Sequence, residues 1–144
     1  MKVIFLDFNG VLDTSDNYDV VNLNNLSILM NVVKLTESKI VITSSIKNTF
    51  YVSGKHNCMM NYLLNVLKEN DIEVVGFTKK LDNRQNEIID YLNTHPEITN
   101  YCIIDDEYFC ELFESHMIKL TSQMDGGNGL QETSEEEIVR KLNV

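Results

Sequence analysis

The stretch "FLDFNGVLDT", residues 5–14, drops from an apolar run into a carboxylate at Asp7, steps two residues to Asn9 and turns at Gly10. A second apolar run ends in Thr43, Ser44 and Ser45, and a later one ends in the pair Asp105 and Asp106. Between them lie the cations Lys79, Lys80 and Arg84. Carboxylates, hydroxyls and a cation in this order suit phosphoryl transfer through an aspartyl phosphate. A carboxylate attacks phosphorus only if the charge of the phosphoryl group is offset, which a hard cation such as Mg²⁺ does through oxygen ligands. Asp7 would be nucleophile and metal ligand together. One or both of Asp105 and Asp106 would complete the cage, while Thr43 or Ser44 and a basic side chain would hold the phosphoryl oxygens. Gly10, Lys79, Lys80 and Arg84 are the further candidates for substrate contact. Each residue alone has a plainer explanation, as a turn former, a helix cap or an exposed cation; the functional reading rests on their joint order.

These residues need a scaffold that brings strand ends together. Short apolar runs alternate with segments of helical period, the pattern of an α/β domain built on a mostly parallel sheet. "KVIFLD" (2–7), "KIVITS" (39–44), "IEVVGF" (72–77), "YCIID" (101–105) and "HMIKL" (116–120) read as strands covered on both faces, because they lack polar alternation. Leu23, Leu26, Met30 and Val33 mark the buried stripe of one helix, Met59, Leu63, Val66 and Leu67 that of a second, and Ile88, Tyr91 and Leu92 that of a third. Pro96 stops the third helix after Thr94 or His95, and Thr133 with Glu136 forms a capping box for a last helix through Leu142. The glycine-rich "QMDGGNGL" and the flap near 13–22 are the stretches expected to move most. In such a sheet, ligands gather beyond the carboxyl ends of the strands, where the carboxylates, the hydroxyls and the cation would lie.

Composition narrows the field. The 144 residues fit one domain, 1–144, with room for a real core, and the apolar fraction of 43% is ordinary for a globular protein. No apolar run reaches the ~18 to 20 residues needed to span a bilayer, and no leader-like series opens the chain, so a cytoplasmic protein without a membrane partner is expected. Twelve basic against 22 acidic residues give a net charge of −10, which opposes broad, non-specific nucleic-acid binding. Cys58, Cys102 and Cys110 are odd in number and lack CxxC spacing, so they read as reduced, largely packed thiols. His56, His95 and His116 fit no ligand spacing and read as structural or exposed. Phe50 and Tyr51 follow strand two closely enough to line a substrate groove, and Lys47 is close enough to join a basic patch.

The ordered set "DFNGVL", "VITSS", a basic residue near 79–84 and "IIDD" resembles the four motifs of the haloacid dehalogenase (HAD) superfamily. The resemblance runs from residue 3 to about 106, and the last strand and helix complete that fold. Within the superfamily, "RQNEIIDYLNTHPEITNYCIIDD" is similar to the small HAD domain found alone or fused in RNA-repair proteins, and "VITSSIK" is similar to the second motif of the 5′(3′)-deoxyribonucleotidases. The resemblance implies a three-layer Rossmann-like α/β fold with a five-stranded parallel sheet and no cap domain. By matching position, it makes Asp7 the nucleophile and a metal ligand and Asn9 the general acid/base position, whose backbone carbonyl also binds Mg²⁺. It makes Thr43, with Ser44 beside it, the phosphate-binding hydroxyl, Arg84 the third-motif cation, with Lys79 and Lys80 as competitors, and Asp105 and Asp106 the metal-binding pair. The implied activity is a Mg²⁺-dependent phosphatase. An open site favours a bulky phosphorylated substrate: a nucleotide, a polynucleotide end or a phosphoprotein.

Asn9 stands where most HAD phosphatases have aspartate. Asparagine keeps the shape and the backbone carbonyl but offers no acid proton. Loss of a positioned acid/base costs ~10²- to 10⁴-fold in rate. The alternative function is therefore a weak or inactive module that binds a phosphate or a nucleic-acid end. Asp13 or Asp16, in the flap, is the candidate replacement acid. A dehalogenase is disfavoured, since that chemistry relies on a cap to enclose a small substrate.

Overall fold

The structure is a computed structural model that describes residues 1–45, 58–107 and 110–144. Lys47, Phe50, Tyr51 and His56 lie outside the described residues. The strands are β1 (Lys2–Leu6), β2 (Lys39–Ile42), β3 (Val74–Phe77), β4 (Asn100–Asp105) and β5 (Met117–Lys119). They form one sheet in the order β3-β2-β1-β4-β5, with every pairing parallel. This is the α/β architecture that the apolar runs and the motif order imply. The strands are shorter than the runs that announce them: Thr43 and Ser44 lie past β2, and Ile72 and Glu73 precede β3. Apolar character reports burial, which extends beyond the ladder hydrogen bonds that define a strand.

Four helices accompany the sheet among the described residues: α1 (Leu23–Thr36), α2 (Cys58–Glu69), α3 (Arg84–Thr94) and α4 (Glu132–Leu142). One core cluster joins Ile4, Leu6 and Ile42 of the sheet to Leu29 of α1, Leu63 of α2 and Ile138 of α4. The opposite face of the sheet, with Val3, Phe5 and Val41, packs against Ile88 and Tyr91 of α3 and against Phe113. Helices therefore cover both faces, as an all-parallel sheet requires.

Two local expectations need correction. In α1 the buried stripe runs through Asn25, Leu26, Ile28, Leu29, Val32 and Thr36, whereas Leu23 is 78% exposed and Met30 is exposed as well. Several phases fit the apolar residues of this helix, and packing chooses the one that presents Asn25 to the loops beside it. Helix α4 begins two residues earlier than expected, with Gln131 as its N-cap and no side-chain capping bond, so Thr133 lies inside the first turn. Asn22 and Asn83 do cap α1 and α3, and α3 ends at Thr94 as Pro96 requires. His95 and His116 stack on Tyr91 and Tyr101, in keeping with structural roles. Cys102 is buried, but Cys58 is exposed, so the thiols are not uniformly packed. No helix among the described residues is long and apolar enough to cross a membrane.

Candidate active site

Strand order decides where the site forms. The chain runs outward from β1 to β3 on one side and returns to β4 on the other, so the loops after β1 and β4 part and leave a crevice between them. The register runs Leu6 beside Ile104, and the Asp7 amide donates to the Ile104 carbonyl at 3.1 Å. Asp7 and Asp105 thus emerge side by side. On the other flank, the Thr43 amide donates to the Leu6 carbonyl at 2.9 Å, which places the β2 hydroxyls next to Asp7.

Asp7, Asp105 and Asp106 each bring a carboxylate oxygen within 4.8 Å of the others. Arg84, at the start of α3, reaches into this group, with Nη1 2.6 Å from Asp105 Oδ2 and 3.9 Å from Asp7 Oδ2. Burial, opposed by the Arg84 charge and by the Phe8 amide, raises the Asp7 carboxyl to about 6. Burial together with the nearby Asp7 charge raises Asp105 to about 7. Burial is the first cause of both shifts, and one guanidinium among three clustered carboxylates does not reverse them. The donors are all hard oxygens, the set that suits Mg²⁺ rather than a softer metal. Gly10 serves the same cluster: it holds φ +82°, and a Cβ there would lie 2.2 Å from the Asp106 carboxyl carbon.

A cavity of about 320 Å³ opens on this group. It is lined by Asp7, Asn9, Arg84, Asp105 and Asp106 from the sequence motifs, and by Ser45, Glu107, Gln123 and Met124. Thr43 and Ser44 are buried beneath the cavity rather than along its wall, and the Ser44 hydroxyl hydrogen-bonds Asp7. Lys79 and Lys80 are exposed and are not among the lining residues, whereas Arg84 is both lining and ion-paired. Ser45 closes the same apolar run as Thr43 and Ser44, and of the three it is the one along the cavity wall. Gln123 and Met124 come from the glycine-rich loop and carried no signal of chemistry.

That loop and the flap are bound to the motif instead of standing free. Asp13 is fully buried and accepts hydrogen bonds from Asn9 Nδ2, the Gly10 amide, the Asp19 amide and Gln123 Nε2. The Gln123 amide in turn donates to Asp106 Oδ2 at 2.9 Å. Asn25 Nδ2 ties the Val11 and Asn128 carbonyls together, and Gly129 has no room for a side chain because a Cβ would lie 2.2 Å from the Val11 carbonyl oxygen. Asp13 is therefore an anchor and not a solvated flap acid, and Asp16 is exposed. A second flap carboxylate, Asp19, which the sequence did not single out, also reaches Asn9; its Oδ1 accepts from Asn9 Nδ2 at 2.8 Å.

Neither a curated protein nor a solved structure matched the chain. The family model for the HAD domain in Swiss Army Knife RNA repair proteins matches residues 3–134, a span that takes in all four motifs. The chain belongs to that family, within the phosphohydrolase-type HAD superfamily.

Proposed function

We propose that the protein is a Mg²⁺-dependent phosphatase that works through an aspartyl phosphate on Asp7. The observation that carries this reading is the convergence of the Asp7, Asp105 and Asp106 carboxylates within 4.8 Å at the β1/β4 crevice, with Arg84 among them. Asp7, Asp105, Asp106 and the Asn9 backbone carbonyl would hold the cation. When bound, Mg²⁺ would offset the negative charge of the phosphoryl group and of the cluster. Asp7 would attack phosphorus with one carboxylate oxygen. The bond to the leaving oxygen breaks, and that oxygen takes its proton from solvent. Water then attacks the phosphorus of the acyl phosphate and returns Asp7 as a carboxylate. Arg84 would steady phosphoryl oxygens, with Ser45 or the β2 hydroxyls Thr43 and Ser44 beside it. The family name and the open crevice favour a phosphorylated polynucleotide end or nucleotide as substrate. Lys79 and Lys80 are the exposed cations available to a longer ligand.

A second reading, a phosphate- or nucleic-acid-end-binding module without turnover, draws on one observation: Asn9 gives its side-chain N–H groups to Asp13 and Asp19 and has no acid proton to offer. Hydrolysis of p-nitrophenyl phosphate separates the two. A phosphatase releases phosphate with Mg²⁺, stops with EDTA, and loses at least ~10³-fold in kcat on Asp7→Asn. A binding module shows no turnover, yet gains thermal stability from orthovanadate only when Mg²⁺ is present.

A further inference from the structure

Asn9 is held by two carboxylates. Its Nδ2 lies 2.7 Å from Asp13 Oδ2 and 2.8 Å from Asp19 Oδ1. Only the NH₂ end of the amide can face two carboxylate oxygens, so the orientation of the side chain is fixed by chemistry. Both N–H bonds are consumed, which leaves the carbonyl oxygen as the polar atom that Asn9 can turn to the cavity it lines. Asp13 is itself fixed, because the Gly10 amide at 2.7 Å and Gln123 Nε2 at 2.8 Å occupy its Oδ1 while the Asp19 amide at 2.9 Å shares its Oδ2. Asp19 holds φ +64°, a left-handed conformation, at the point where its amide and its carboxylate both meet this network.

We propose that Asp13 and Asp19 are positioning residues that require a hydrogen-bond donor at residue 9 and present Asn9 to the substrate as an acceptor. This rests on the phosphatase reading for its catalytic part but not for its structural part. The consequence opposes simple motif logic. Asn9→Asp restores the residue type usual in the superfamily, yet it puts a carboxylate oxygen where Nδ2 stands, against two others. The new side chain is driven out of place, and the flap that Asp19 anchors goes with it. Changing Asp19 to asparagine in the same protein returns one N–H donor to the pair with its direction reversed.

The test compares native protein, Asn9→Asp, Asp19→Asn and the double variant. Asn9→Asp should lower the thermal midpoint by about 4 °C or more, Asp19→Asn alone by less than about 2 °C, and the double variant should recover at least about half of the Asn9→Asp loss. With p-nitrophenyl phosphate and Mg²⁺, the double variant should exceed Asn9→Asp at least ~10-fold in kcat with little change in KM. The proposal is overturned if Asn9→Asp is as stable as native protein, or if Asp19→Asn does nothing for it in midpoint or kcat. If native protein and all variants fail to turn over, the phosphatase reading falls by itself. The positioning role is then decided by Mg²⁺-dependent affinity for inorganic phosphate, which Asn9→Asp should weaken ~10-fold and the double variant restore; unchanged affinity across the set would end the proposal.

Discussion

Asp13 on one side and Asp7 with Asp105 on the other are buried aspartates of the same region, treated in opposite ways. Asp13 has no exposure and four hydrogen-bond donors, so its charge is fully answered by the protein. Asp7 and Asp105 are almost as buried, but they face each other and Asp106 across a cavity, with Arg84 as the cation between them. A buried carboxylate with every lone pair matched holds a fold together. One left among its own kind stores unfavourable energy that a cation or a phosphoryl group with its metal can relieve. The same residue type thus acts as a strut in one region and as chemistry in the other, and the difference lies in who supplies the partners.

Removing each kind should have opposite effects on stability. Asp13→Ala strands four donors and should lower the unfolding free energy by about 3 kcal/mol or more in urea denaturation. Asp7→Asn near pH 8 relieves a charge its neighbours repel and should leave stability unchanged or slightly raised. Equal losses for the two would erase the distinction.

The cluster should also reveal itself through pH. Asp7 and Asp105 keep their protons to about 6 and about 7, against the ordinary 3.8. Between about pH 4 and 7 the folded chain then binds more protons than the unfolded one, so metal-free stability falls as pH rises through that window and levels off above it. In EDTA the thermal midpoint should be higher near pH 5 than near pH 8, and Mg²⁺ should raise it more near pH 8. A midpoint that climbs with pH in EDTA would mean the carboxylates are already satisfied, as Asp13 is.

The smallest effect concerns a polar residue with no such partner. Thr133 follows the N-cap of α4 and makes no capping bond, so Thr133→Ala should change the unfolding free energy by less than about 0.5 kcal/mol. A true capping threonine would cost about 1 kcal/mol, and a loss of that size would restore the capping box that the sequence suggests.

The amino-acid sequence by itself determined the class of fold and the order of the motifs. Apolar runs without alternation require a covered parallel sheet, Asp7 and the Asp105–Asp106 pair follow at its strand ends and Arg84 at a helix start, because that information is local. Tertiary structure alone decided the phase of α1, since Leu23 and Leu26 are equally apolar and only packing distinguishes them. It also decided which hydroxyl lines the cavity, because a strand's last hydrogen bond determines where the chain turns, so that Ser45 reaches the wall while Thr43 and Ser44 stay beneath it. Above all it decided the state of Asn9. The partners that fix its amide, Asp13, Asp19 and through them Gln123, come from a flap and a distant loop whose sequences carry no periodic signal. Asp13 and Asp19 are near Asn9 in the chain, but the Gln123 contact that holds Asp13 is long-range and exists only once the sheet has closed around β1.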